Sequence, residues 1–296
     1  MKLCRFDGRR LGLVEDDHVY DVTAALDHLP ALRWPLPPGD PLIAHLHRLG
    51  PRVQELRDSA KRLPLSSLAL SSPVVSPSKV IGAPSNYLDH IEEVRKDKEV
   101  SHGRPSRTIE EIGLFLKATS SIVGPAEGVT LRFPERRNDH EVELVVVMGQ
   151  KADRVPAAEA LRFVAGYCIG LDMTLRGPEL PSWRKSIETY TVLGPYLVTA
   201  DEIADPDRLD LSLSVNGALR QRSNTKNLIL GVAKLIAFAS DMYVLHPGDV
   251  IMTGTPAGVG PVNDGDQILA AIEGLGELAV RVRHADRISS AAGKAR

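Results

Sequence analysis

One stretch limits what this chain can fold into: Asn138-Asp-His-Glu-Val-Glu-Leu-Val-Val-Val-Met-Gly149. Residues 144–148 form an unbroken apolar run, the pattern of a strand with little water on either face. Glu141 and Glu143 are two positions apart, so on a strand both side chains point to the same face. Two carboxylates side by side at the end of an apolar strand repel one another and lose hydration. The cost is several kcal/mol unless a cation lies between them or one is protonated. A hard divalent ion bound through oxygen relieves both problems. The plainer alternative is a solvent-facing strand end that carries two acids.

A third acid bears on the choice. Asp172 is the lone charge in the apolar and small stretch 163–175. It is either a helix N-cap, with Met-Thr-Leu-Arg starting a turn, or a ligand. Together with Glu141 and Glu143 it makes a three-carboxylate set that suits Mg²⁺ or Mn²⁺. Zinc is not indicated, since Cys4 and Cys168 are far apart and neither C-x-x-C nor H-E-x-x-H occurs.

Bulk properties exclude other classes. A formal net charge of −2 gives no electrostatic case for nucleic acid. No apolar run approaches the roughly 20 residues that a membrane helix needs. The first ten residues lack the apolar core of a signal peptide, and two distant cysteines make no disulfide framework, so a cytoplasmic location is expected.

Residues 1–75 read as a small amino-terminal unit, with short strands over 1–6, 10–15 and 18–21 and a helix over 41–60. The Ser- and Pro-rich stretch 63–79 reads as a linker. Residues 76–285 are expected to form the main domain, and 286–296 a flexible tail. Strands are expected over 80–83, 114–118, 129–132, 141–148, 163–171, 196–199, 209–215, 250–253, 267–272 and 276–282. Helices are expected over 87–98, 157–161 and 228–239. This density of strands without regular strand–helix alternation argues for a mixed, rolled or sandwich-like α+β fold rather than a doubly wound parallel sheet.

The remaining chemistry is scattered. His90 and Glu93 are three apart on an expected helix, so they share a face. They form either a solvated pair or a general base oriented by a carboxylate. Lys185 lies in a semi-apolar stretch, available to an enolate or a carboxylate, or solvated. Residues 245–260 form a strand running into a Gly-rich turn that lacks the Lys-Ser/Thr ending of a phosphate loop, though Thr255 and backbone N–H groups there suit an anion. The highly charged block 95–111 is a surface loop or a mobile lid.

In order, these pieces resemble the fumarylacetoacetate hydrolase family. The signals are Asn86-Tyr87-x-x-His90-x-x-Glu93, Phe115-Leu-Lys117, Glu141-x-Glu143, Asp172-x-x-x-Arg176, Arg184-Lys185-Ser186, Asn216-Gly217 with Arg220-Gln221, and Pro247-Gly-Asp-Val-Ile-Met-Thr-Gly-Thr-Pro-x-Gly-Val-Gly260. The resemblance covers about residues 78–283. It implies a mixed β-roll and a homodimer. It implies Mg²⁺ or Mn²⁺ on Glu141, Glu143 and Asp172, and catalysis by His90, Glu93 and Lys185. It implies a substrate site that includes Asn86, Tyr87, Lys117, Arg176, Gln221 and Thr255. The implied activity is hydrolytic C–C cleavage of a small 2,4-dioxo acid in aromatic or sugar-acid breakdown. The same metal chemistry also serves isomerases, tautomerases, decarboxylases and hydratases acting on 2-hydroxy-dienoate diacids. Two positions depart from the family pattern: Gly177, where many members have Asp, and Gly113, where many have Pro.

Overall fold

The computed structural model describes residues 1–103, 105 and 107–285; the tail expected over 286–296 lies outside the described residues. The first half of the chain carries β1 (Lys2–Phe6), β2 (Arg10–Glu15), β3 (His18–Asp21), α1 (Leu46–Arg57), β4 (Arg62–Pro64), β5 (Leu70–Ser71), β6 (Val80–Gly82), α2 (Leu88–Lys96), β7 (Phe115–Lys117), β8 (Ile122–Val123), β9 (Val129–Leu131), β10 (Asn138–His140) and β11 (Val142–Met148). The second half carries β12 (Val164–Asp172), β13 (Thr174–Leu175), α3 (Pro181–Lys185), β14 (Thr191–Thr199), β15 (Asp210–Val215), β16 (Ala218–Asn224), α4 (Val232–Met242), β17 (Val250–Met252), β18 (Gly260–Pro261), β19 (Gln267–Ile272) and β20 (Gly276–His284).

Three sheets result among the described residues. The largest runs β4-β3-β2-β1-β14-β12-β11-β17-β6-β7, with β5 on β1 and β8 on β14. The others run β13-β10-β18 and β16-β15-β19-β20-β9. Most pairs are antiparallel, while β17–β6, β14–β8 and β20–β9 are parallel. This is the mixed α+β architecture expected from the strand density.

Strand β11 is buried along its whole length, as its unbroken apolar run requires. Val142, Leu144, Val146 and Met148 face the main core, which also holds Leu211, Leu213, Leu235, Ile236 and Leu278. Val145 and Val147 face a second core with Leu3, Leu11, Leu13, Val53, Leu193 and Leu197. The amino-terminal segment thus supplies one cover of the central sheet. Strand β1 is hydrogen-bonded to β14 through Lys2↔Val198 and Leu3↔Leu197.

Several local expectations change. The presumed linker over 63–79 contains β5, paired with β1, and begins inside β4; such short edge strands carry no apolar alternation to mark them. The helix expected over 41–60 breaks at His45, giving a turn at Pro41–Ala44 capped by the Asp40 carboxylate and then α1. The strand expected over 196–199 is nine residues long, and its Pro195 is accommodated opposite a register shift between Tyr167 and Ile169. Strand β16, sequence ALRQRSN, was too polar to suggest a strand.

Sheet register sets the site. Val142 pairs with Leu171, so Glu141, just before β11, lies opposite Asp172 at the end of β12, and the Asp172 N–H donates to the Glu141 carbonyl at 2.9 Å. The carboxyl ends of β17 and β6 and the start of β7 reach the same edge, because Met252 pairs with Gly82 and Gly82 with Phe115. A Cβ on Gly82 would meet the Phe115 ring at 2.2 Å, so this crossing requires glycine.

Candidate active site

Glu141, Glu143 and Asp172 meet at that edge, one ligand oxygen from each lying within 4.8 Å of the others. All three are buried. They are the one such group among the described residues. Glu141 accepts from Arg176 Nη2 at 2.8 Å and from Lys185 Nζ at 2.6 Å. Asp172 accepts from Lys117 Nζ at 2.5 Å through one oxygen and from Lys185 Nζ at 2.5 Å through the other. Among the described residues Glu143 accepts only the Gly254 backbone N–H, at 2.8 Å.

The charges divide accordingly. Burial alone would raise Glu141, but Lys185, Arg176 and His90 outweigh it and hold this carboxyl well below the usual range. Glu143 goes the other way: burial, then the neighbouring Asp172 charge, pushes it well above the usual range. Among the described residues no cation is hydrogen-bonded to its oxygens, which lie beside two anions, the environment that a hard divalent ion completes. The donor set therefore fits Mg²⁺ or Mn²⁺.

A cavity of about 270 Å³ opens onto this cluster. His90, Arg176, Lys185 and Thr255 line it with the three carboxylates. His90 sits on α2, and its Nδ1 is 3.0 Å from Glu93 Oε2. The other Glu93 oxygen accepts the Gly258 N–H at 2.8 Å. With Nδ1 engaged by a carboxylate, Nε2 is the nitrogen left for the pocket. Lys185 has three N–H groups; two are held by Glu141 and Asp172, and its Nζ is 5.3 Å from the centre of the Phe115 ring.

Four residues expected to touch substrate do not line the cavity. Asn86 is buried behind it, donating to the Leu230 and Thr253 carbonyls and accepting from the Leu230 N–H. The Tyr87 hydroxyl is buried with no hydrogen-bond partner among the described residues. Lys117 bonds Asp172 and the Tyr190 carbonyl. Gln221 contacts His140, Val142, Thr255 and Pro256. Long-range hydrogen bonds and burial hold these side chains away from the cavity, a direction that motif spacing does not reveal. Arg176 lines the cavity but is also clamped, with Nε on Asp139 at 2.7 Å and Nη2 on Glu141.

Sequence reasoning missed Asp139. It is buried and bridges Arg137 and Arg176, and the two-residue spacing that singled out Glu141 and Glu143 extends back to it. Sequence reasoning named Arg184 within the Arg184-Lys185-Ser186 motif but gave it no role, although it lines the cavity with Lys185. Gly177 has a local reason: a Cβ there would lie 1.9 Å from Arg136 Nη2, which bonds the Arg176 carbonyl and Glu179. Gly113 has φ 79° and ends the short helix Ile109–Ile112, with its N–H on the Ile109 carbonyl.

The unequal environments of the two glutamates predict opposite responses. Glu143→Gln removes a carboxyl whose charged form is opposed by burial and by Asp172, so the metal-free protein should melt a few degrees higher while Mn²⁺ affinity falls by about 10-fold or more. Glu141→Gln breaks contacts with Lys185 and Arg176 and should lower both. Calorimetric melting with and without Mn²⁺ checks the pair; equal shifts for both variants would contradict the assignment.

Residues 79–283 match the family model described as fumarylacetoacetate (FAA) hydrolase C-terminal. The chain is 54% identical over 285 residues to a maleylpyruvate hydrolase of Aquipseudomonas alcaligenes, covering 96% of this chain and 99% of that one. It is 36% identical over 232 residues to a mitochondrial oxaloacetate tautomerase of Rattus norvegicus, covering 74% and 71%. Its fold matches the crystal structure of maleylpyruvate hydrolase from Sphingobium sp. SYK-6 in complex with manganese(II) ion and pyruvate, with a TM-score of 0.81, 38% identity, and 96% and 99% of the two chains covered. This chain belongs to the fumarylacetoacetate hydrolase family.

Proposed function

We propose that this protein is a divalent-metal-dependent hydrolase that cleaves an acylpyruvate, a 2,4-dioxo acid of the maleylpyruvate type, to pyruvate and a carboxylic acid. One observation carries the reading: His90, hydrogen-bonded to Glu93, lines the same cavity as the three-carboxylate cluster. A base oriented by a carboxylate is what a hydrolase needs to activate water, and it lies beside a metal set able to hold a 2-oxo acid. The maleylpyruvate hydrolases that match nearly the full chain support the same substrate class.

Glu141, Glu143 and Asp172 would hold Mg²⁺ or Mn²⁺, which would supply Lewis acidity toward a bound 2-oxo acid. His90 Nε2 takes a proton from water, and the resulting hydroxide adds to the distal carbonyl. The C–C bond between that carbon and the methylene then breaks, and its electron pair becomes the enolate of pyruvate. The third N–H of Lys185 faces the developing enolate oxygen, and a proton returned to the methylene carbon completes pyruvate. Glu93 holds the imidazole in place, itself fixed by the Gly258 N–H. Part of the block expected as a lid, including Val100, Ser101 and Arg107, lines the cavity, and in this reading it excludes bulk water.

The test is pyruvate release from a panel of acylpyruvates with Mn²⁺ or Mg²⁺ and with excess chelator. Metal-dependent release is expected, and His90→Ala should lower kcat by about 100-fold or more while metal stays bound. A keto–enol spectral change without pyruvate would instead favour tautomerisation, the activity named for the rat relative.

Arg184 and Arg107 line the cavity beyond Lys185 and suit a second carboxylate. On this reading Arg184→Gln raises KM for a diacid acylpyruvate by about 10-fold or more and leaves that for acetopyruvate nearly unchanged. Equal effects on both substrates would remove Arg184 from substrate recognition.

A homodimer and a cytoplasmic location belong to the same reading. Among the described residues no helix is long and apolar enough to cross a membrane. Light scattering should return about twice the 32.1 kDa chain mass; a monomer would contradict the dimer.

A further inference from the structure

Gln221 is the one buried residue of β16, a polar side chain in a strand whose other residues are exposed or half-buried. Its amide reaches the junction of β10 and β11 on one side and the turn after β17 on the other. Oε1 accepts the Val142 N–H at 3.1 Å and lies 3.1 Å from His140 Nδ1. Nε2 lies 2.7 Å from Thr255 Oγ1 and 2.9 Å from the Pro256 carbonyl.

Two of these partners have no freedom of role. A backbone N–H can only donate and a backbone carbonyl can only accept. Val142 therefore fixes the oxygen side of the amide, and Pro256 fixes the nitrogen side. A flipped amide would set N–H against N–H and C=O against C=O. The other two partners follow from this. His140 must carry its proton on Nδ1, and Thr255 Oγ1 must accept from Gln221. Both amide protons are then used. The Thr255 hydroxyl makes no other hydrogen bond among the described residues, and the residue lines the cavity.

We infer that Gln221 is a positioning residue that commits the Thr255 hydroxyl to donating its proton into the pocket. Thr255 then meets an acceptor-only atom of the substrate, a carbonyl, carboxylate or developing oxyanion oxygen. Accepting one bond from Gln221 polarises the hydroxyl and strengthens the bond it donates. The inference rests on the proposed reading only in that substrate occupies this cavity.

The hydrogen-bond order is tested without activity. In Mg²⁺-loaded protein labelled with ¹⁵N-histidine, with the His140 signal assigned by its loss in His140→Phe, the ring should show a proton on Nδ1. A proton on Nε2 alone overturns the inference. The functional arm is a double-mutant cycle of Thr255→Val and Gln221→Met, read as kcat and KM for pyruvate release. Each single variant should lose about 100-fold in kcat with metal retained, as for removal of one oxyanion donor. The double variant should lose no more than about twofold beyond either single one. Thr255→Ser should restore most of what Thr255→Val loses. Gln221→Glu, close to isosteric, turns the donor into an acceptor that captures the Thr255 proton; it should be as poor as Gln221→Met, and it serves in place of that variant should Gln221→Met not fold. Additive losses, or a Gln221→Glu enzyme within about twofold of wild type, overturn the inference. If the wild type releases no pyruvate from any acylpyruvate, the hydrolase reading fails, while the tautomer measurement still decides this one and the cycle is read on keto–enol interconversion.

Discussion

Three buried carboxylates within 4.8 Å of one another are the constraint on which the rest of this molecule depends. Like charges at that distance in a low-dielectric edge repel by several kcal/mol, and the chain offsets part of this with fixed cations. Lys185 spans Glu141 and Asp172, Lys117 holds the other Asp172 oxygen, and Arg176 holds the other Glu141 oxygen. None of these cations is bonded to Glu143. The compensation is thus left incomplete at one corner, which is where a buried acidic cluster can take a divalent ion. A fully neutralised cluster would be a structural ion-pair network with little affinity for a divalent ion.

Keeping such a cluster dry determines how the sheet is covered. Strand β11 carries the glutamates at its start and is apolar on both faces beyond them. One face packs on the main core and the other on residues from the amino-terminal segment, including Leu3, Leu11 and Leu13. The contribution of 1–75 is apolar cover on Val145 and Val147. It shields the second face of the strands that hold the ligands, and each fully buried Leu adds roughly 1.5–3 kcal/mol of burial. Its own link to the larger sheet is the β1–β14 ladder rather than a tether alone.

The parts of this arrangement legible in sequence were those with strong local signals. The apolar run 144–148 announced a doubly buried strand, and the two-residue spacing placed Glu141 and Glu143 on one face. The lone Asp172 marked a second strand end. The register that brings Asp172 opposite Glu141 is a long-range property that no local pattern encodes. The same holds for the residues behind the pocket wall: Asn86 stands in a motif with the lining residue His90, yet the partners that fix Asn86 and Gln221 lie some 80 to 170 residues away in sequence. Short edge strands such as β4 and β5 escaped because three or two residues cannot display a period.

The turn after β17 shows why so plain a sequence can carry chemistry. Residues 253–258, Thr-Gly-Thr-Pro-Ala-Gly, read as a tight Gly-rich turn, yet it is fixed almost residue by residue. The Thr253 N–H and hydroxyl bond the Leu144 carbonyl, and its own carbonyl accepts from Asn86. Gly254, at φ 102°, turns its N–H onto Glu143. Thr255 and Pro256 are held by Gln221, and the Gly258 N–H holds Glu93. One turn thereby touches a metal-site carboxylate, the pocket hydroxyl and the carboxylate that orients His90. Each contact uses a backbone group or a small side chain with little freedom to rearrange, so the geometry is set before substrate arrives and costs little reorganisation when charge develops. The turn, rather than any single ionisable residue, is thus the element that joins Glu143, the Thr255 hydroxyl and the Glu93 carboxylate in one rigid segment.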